Sequence, residues 1–226
     1  MCGRYQFSAR TVTRLARALK VEAAESGDRA NHAPTMLGPV LRSQREKIEM
    51  LKWGFNAAGA PGQPPRLLIN ARSETVSQLR SFKTAWHERR CLVPADWFYE
   101  WNQQSKPKQP WRFVIDGDEP MIIAGIWSPT RLHDGTSVDA YAVLTTEANR
   151  TVAKVHDRMP VILHERDWQT WIDPATNPET LKKLQRPYDG PMCSRPVDMA
   201  MNKASYQGPV IDVELKPPEP AQGELF

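Results

Sequence analysis

Twenty prolines are scattered through 226 residues with no repeating spacing. Each fixes φ and lacks an amide hydrogen, so it interrupts a helix interior and suits turns. A chain punctuated this often folds as short elements joined by ordered turns. Between the prolines, Ser8 is placed to cap a helix carrying Val12, Leu15, Ala16 and Leu19 on one stripe, with Arg10, Arg14 and Arg17 off it. Residues 38–56 read as extended, 57–65 (AAGAPGQPP) as a flexible loop, and 67–72 as a short apolar run ending in polar groups. Helical pieces are expected at 74–79, 82–89, 147–155, 165–172 and 178–184. Strands are expected at 91–93 and 97–101, broken by Pro94, then at 111–115, 121–127, 140–145 and 161–163. In 97–101, Trp97, Tyr99 and Trp101 share one face, and Phe98 and Glu100 the other.

Strands in succession without a βαβ rhythm predict a single α+β domain, mostly antiparallel sheet with peripheral short helices. That domain spans 1–208; residues 209–226, rich in proline and polar groups, read as a disordered tail. With 40% hydrophobic and 25% charged residues, the composition excludes wholesale disorder. No apolar run approaches 18 residues and no basic-then-apolar leader opens the chain, so neither a membrane helix nor a secretory signal is expected. Cys2, Cys91 and Cys193 form no CxxC pair, which leaves a reduced, cytoplasmic chain without a disulfide framework. His32, His87, His133, His156 and His164 show no ligand spacing, so no metal and no cofactor is expected.

Cys2 follows the initiator Met. If Met1 is removed, it becomes a 1,2-aminothiol, with an α-amine of pKa about 7.7–8.0 beside a thiol of about 8.5. An aldehyde meeting this pair forms an imine with nitrogen and then closes a five-membered thiazolidine through sulfur. The other reading of residue 2 is a frayed terminus. Asn70, Glu100 and His156 each sit at the end of an ordered run, where a rigid element delivers a polar group to a cleft. Glu100 is either desolvated on the Phe98 face, which would raise its pKa toward proton-shuttle range, or lies on an edge strand facing water. His156 titrates near neutrality or is structural; Asn70 orients an oxygen or caps a helix. Eight tryptophans suit either a core or base stacking.

Six fragments then occur in order: MCGRY at the start, Asn31-x-Ala33-Pro34, Trp53-Gly54 after a strand, INARSET at 69–75, CLVPADWFYEW at 91–101 and VHDRMPVIL at 155–163. Together they resemble the SOS-response-associated peptidase family, proteins that crosslink to abasic sites in single-stranded DNA, over residues 1–208. The resemblance implies Cys2 as nucleophile and Asn70, Glu100 and His156 as its catalytic companions. It implies DNA contacts from Arg4, Pro34, Trp53, Arg72 and Arg158, with Trp53 stacking on or wedging against a base. It further implies an autopeptidase that uses Cys2 and Glu100, a role in the DNA damage response, and association with the nucleoid on damaged DNA.

Gln222, Leu225 and Phe226 in the closing QGELF resemble the short peptides that grip a sliding clamp, and a Pro-rich leash would suit such a tether. Nothing in the sequence calls for more than a monomer. Two other functions stay open: a cysteine-type peptidase acting on proteins, and a non-catalytic module for single-stranded DNA.

Overall fold

The computed structural model describes residues 2–57, 66–117, 119–132 and 134–215. Its elements run β1 (Arg4–Phe7), α1 (Ala9–Leu19), β2 (Arg29–His32), β3 (Leu37–Arg42), β4 (Ile48–Trp53), β5 (Phe55–Ala57), β6 (Arg66–Leu68) and β7 (Asn70–Arg72). They continue through α2 (Lys83–Glu88), β8 (Arg90–Ala95), β9 (Trp97–Trp101), β10 (Pro110–Ile115), β11 (Met121–Arg131) and β12 (Ser137–Glu147). The chain closes with β13 (Arg158–Pro160), β14 (Ile162–Leu163), α3 (Trp168–Ile172), α4 (Pro178–Leu184) and β15 (Met192–Pro196). The architecture is the expected α+β one, with mainly antiparallel pairing and short helices.

One sheet has the order β15-β10-β9-β1-β2. The larger one closes on itself: β12 pairs parallel with β4, and β4–β3, β3–β8, β8–β11 and β11–β12 follow antiparallel. Both β7 and β13 lie along β12, parallel and antiparallel respectively. Arg42 fastens one end of this ring, with Nε and Nη2 on Glu49 of β4, Nη1 on Asp139 of β12, and its guanidinium 4.4 Å from the Trp127 ring of β11. The main core lies between the sheet and the ring. There the Phe98 and Phe113 rings stack at 5.0 Å, and Tyr5, Trp53 and Tyr141 are fully buried.

Asp96 marks where the chain passes from one sheet to the other. Its carboxylate accepts from Ser8, Thr11 and Gln6 side chains, joining the start of α1 to the β8–β9 junction. Ser8 also accepts from the Thr11 amide, the expected N-cap, and Val12, Leu15 and Ala16 are buried.

Several expectations are corrected. Pro94 does not break the 91–93 strand; β8 runs through it, paired to Ile122. The β3 register ends at Leu41↔Leu92, so Pro94 falls where β8 has a strand on one side only and an absent amide hydrogen costs little. Residues 74–79 are successive turns rather than a helix, with Thr75 and Val76 both donating to Arg72 O. The 147–155 helix reduces to one 3₁₀ turn, Val152–Lys154. Glu147 is taken into β12 by pairing with Arg158, and Asn149 Oδ1 accepts from the Thr151 and Val152 amides, starting the turn later.

Residues 209–215, read as tail, are tied to the domain: the Asp198 amide donates to Ile211 O, Val213 to Pro196 O, and Arg112 Nη2 binds Asp212 at 2.6 Å. Most of the 57–65 loop (58–65) and the Gln222, Leu225 and Phe226 anchor lie outside the described residues.

Candidate active site

Cys2 lies one residue, Gly3, ahead of β1, whose Arg4 and Tyr5 pair with Tyr99 and Phe98 of β9, so the chain start lies beside the end of the strand that carries Glu100. Its side chain is fully buried. From β7, Asn70 Nδ2 donates to the Cys2 carbonyl oxygen at 2.9 Å. Asn70 Oδ1 is buried with no hydrogen-bond partner among the described residues, an acceptor aimed into the site and unused.

Glu100 is 3% exposed, on the core face with Phe98. The edge-strand reading fails because β10 and β1 flank β9 on its two sides. Burial pushes the carboxyl up to about 7, since removing water penalises the charged form. His156 follows the Val152–Lys154 turn, and its Nε2 lies 3.8 Å from Glu100 Oε2. The Arg158 amide donates to Nδ1 at 2.9 Å. Asp157 Oδ1 is also 3.0 Å from Nδ1, but that carboxylate is 86% exposed, whereas the amide is fixed by the backbone. In the neutral ring Nδ1 therefore holds the lone pair and Nε2 the hydrogen, directed at Glu100. Burial pulls the imidazole below its ordinary pKa. The carboxyl raised to about 7 and the imidazole lowered invert the usual order, so Glu100 rather than His156 is the group placed to accept a proton.

Desolvation, and next the charge of Glu100, push the Cys2 thiol well above the ordinary range. Sulfur is therefore held as S–H at neutral pH, with Arg4 O 3.8 Å away, until a base accepts its proton. Cys2, Asn70, Glu100 and His156, four residues spread over most of the chain, converge here. Among the described residues no group of three or more His, Cys, Asp and Glu could hold a metal ion.

Of the residues expected to meet DNA, Arg72 is exposed and Pro34 half-buried. Arg4 is held in the protein, with Nη1 2.9 Å from Asn31 Oδ1 and 3.3 Å from Met201 O, and its guanidinium 5.4 Å from the Trp101 ring. Arg158 is bound by Glu74 through both Nη atoms and donates to Thr145 O.

The expectation for Trp53 is overturned. Its ring is fully buried, stacked against His32 at 5.5 Å and Tyr141 at 6.2 Å, with Nε1 donating to Ile69 O. Neither face is open to a base. Trp53 instead supports the strand that leads into Asn70.

Sequence reasoning passed over two features. Beneath the site, the Tyr5 and Tyr141 hydroxyls are hydrogen-bonded and His32 Nε2 lies 3.0 Å from Tyr141 Oη. Burial lowers His32 to about 3, so the ring is neutral. Gly38 makes room for this cluster, because a Cβ there would come within 2.7 Å of the Tyr141 hydroxyl. No local pattern announces such a cluster. Glu74 was legible only as a carboxylate two residues beyond Arg72.

The abasic site processing protein YoaM of Bacillus subtilis is 33% identical over 164 residues, covering 70% of this chain and 72% of its own. The abasic site processing protein YedK of Escherichia coli is 31% identical over 136 residues, 59% of this chain and 60% of its own. A crystal structure from Bacteroides thetaiotaomicron has the same fold, with a TM-score of 0.77 at 18% identity over 89% of this chain and 95% of that one. The family model for SOS response associated peptidase (SRAP) matches residues 1–204, and the chain belongs to that family.

Proposed function

We propose that this protein processes abasic sites in single-stranded DNA by capturing the lesion's aldehyde on Cys2 once Met1 has been removed. The observation that carries the reading is the placement of Cys2: its carbonyl is held by Asn70 at 2.9 Å, beside a carboxyl raised to about 7. The relatives YoaM and YedK, both named abasic site processing proteins, support the choice of substrate.

The chemistry balances as follows. In the closed sugar, the C1′–O4′ bond breaks as Glu100 accepts the C1′ hydroxyl proton and passes it to O4′, which the neutral His156 holds through its Nε2–H, leaving an aldehyde at C1′. The neutral α-amine of Cys2 adds to that carbon, and Glu100 relays both amine protons in turn to the carbonyl oxygen, which departs as water. The thiol then adds to the resulting imine carbon, its proton passing through Glu100 to nitrogen. Aldehyde, amine and thiol give one thiazolidine and one water, with no oxidant or cofactor. A carboxyl near neutrality suits both directions of proton transfer. Asn70 fixes the nucleophile's backbone, so less orientational freedom is lost in the reaction. Arg72 contributes a phosphate contact, and single strands give the aldehyde easier access than duplexes.

The thiol's raised pKa disfavours a cysteine peptidase acting on proteins, which attacks through a low-pKa thiolate. The same Cys2 and Glu100 remain suited to removing Met1. A denaturing gel tests the function: wild type forms a persistent adduct with abasic single strands and none with intact ones, and Cys2→Ala forms none. An adduct of undiminished yield in Cys2→Ala refutes it.

A further inference from the structure

Arg158 and Glu74 meet fork to fork, with Nη1–Oε1 at 2.7 Å and Nη2–Oε2 at 3.0 Å. Paired acceptor oxygens on a guanidinium are also the geometry in which arginine takes a phosphate. The arginine is fixed from behind: its Nη2 donates to Thr145 O at 2.8 Å and its backbone amide to His156 Nδ1 at 2.9 Å. The carboxylate is the movable partner, its side chain 49% exposed against 16% for Arg158. It belongs to the turns that follow β7, and it has somewhere to go. Ser73, Glu74, Ser77, Gln78 and Lys182 line an open cavity of about 430 Å³, where Lys182, itself 3.1 Å from Glu179, supplies a cation that Glu74 would share, with Glu147 also on the wall. Arg72 is exposed, and among the described residues no carboxylate lies within salt-bridge distance of it.

We propose that Glu74 occupies, on Arg158, the place of a DNA backbone phosphate, so that the strand engages this arginine by displacing a carboxylate. This rests on the reading of the site as one for single-stranded DNA. Before DNA arrives, Glu74 and Thr145 O take up the two Nη atoms of the guanidinium, while its buried Nε has no partner among the described residues. When a phosphate arrives, one anion replaces another on a fork already aimed. The exchange costs little because a phosphate restores the same two acceptor contacts that the carboxylate gives up, yet it selects for a ligand that brings several phosphates at once, since a single anion gains almost nothing by replacing Glu74. The charge of Glu74 therefore sets the affinity for the strand and discriminates against small anions.

The test is binding of an undamaged fluorescent single-stranded oligonucleotide, so that no covalent chemistry is read, to wild type, Glu74→Gln, Arg158→Gln and the double variant. Glu74→Gln keeps an acceptor for Arg158 while removing the charge, and thermal melting checks that each variant is folded. Expected is about a two- to fivefold tighter Kd for Glu74→Gln, the range an exposed ion pair spans. The double variant should bind no tighter than Arg158→Gln alone. An unchanged or weaker Kd in Glu74→Gln overturns the proposal. So does a gain that survives without Arg158, or an equal gain in Glu147→Gln, since either would reflect general charge removal. Failure of the wild type to bind any single strand would instead sink the DNA reading beneath it.

Discussion

The Glu100 carboxylate lies 3.8 Å from His156 Nε2, and burial acts on the two groups in opposite directions, carrying the acid up to about 7 and the base down from its ordinary value. Glu100 changes charge near pH 7 and not near 4. Crosslinking on abasic single strands should therefore rise with pH through about 7, as the carboxylate forms and can accept the C1′ hydroxyl and thiol protons. Glu100→Gln should be slower by about 10²-fold or more, the usual worth of a positioned proton-transfer group, and should lose the inflection near 7, keeping only the rise as the Cys2 α-amine loses its proton at about 7.7–8.0. Single-turnover rates from pH 5.5 to 8.5 decide it; an unshifted inflection near 7 in the variant removes Glu100 from the proton path.

The same burial has a stability consequence of definite sign. Glu100 titrates near 7 in the fold and near 4.3 unfolded, so between those values the native state binds more protons and stability falls as pH rises. Glu100→Gln removes the buried charge. Relative to wild type, the variant should melt at higher temperature at pH 8 than it does at pH 4.5. Melting curves at the two pH values check this, and an equal difference at both would mean the carboxyl is not desolvated as described.

Asn70 donates to Cys2 O and leaves its own Oδ1 without a partner among the described residues. Removing it should loosen the nucleophile while leaving little of the fold unsatisfied. Asn70→Ala should slow crosslinking by up to about 100-fold, the scale of an ångström's misplacement, with melting shifted by only a few degrees. A large melting shift with an unchanged rate would make Asn70 structural.

Trp53 and Arg72 separate core from contact. Trp53→Ala should cost about 3–5 kcal/mol of stability, as for other buried aromatic truncations, while Trp53→Phe, where folded, should bind DNA as wild type does. Arg72→Gln should leave melting unchanged and reduce the salt dependence of single-strand binding by about 0.7 in log–log slope, one phosphate contact's worth. A Trp53→Phe variant that is folded but deficient in DNA binding would contradict the buried placement.

The fold was legible where a residue acts on its neighbours. The Ser8 cap, the Val12–Leu15–Ala16 stripe and the alternation through 97–101 all follow from spacing alone. It was illegible where pairing partners distant in sequence decide. Glu147 joins β12 because Arg158 comes back alongside it, so the first residue of a stretch with helical texture becomes strand. Pro94 is tolerated because the pairing of β8 with β3 stops at Leu92. At the site, Asn70, Glu100 and His156 were each ambiguous taken alone, and their ordered motifs gathered them. Trp53 was misread because sequence shows an aromatic beside Gly54 but not the His32 and Tyr141 rings that close over it. Glu74 drew no notice because its partner lies 84 positions away.

The most direct measurement is the intact mass of the protein after reaction with an abasic oligonucleotide, followed by mapping of the joined peptide. The account predicts a chain lacking Met1, joined at Cys2, with the mass of both partners less one water and resistant to borohydride because no imine remains. An adduct that retains Met1, or one joined at any other residue, contradicts it.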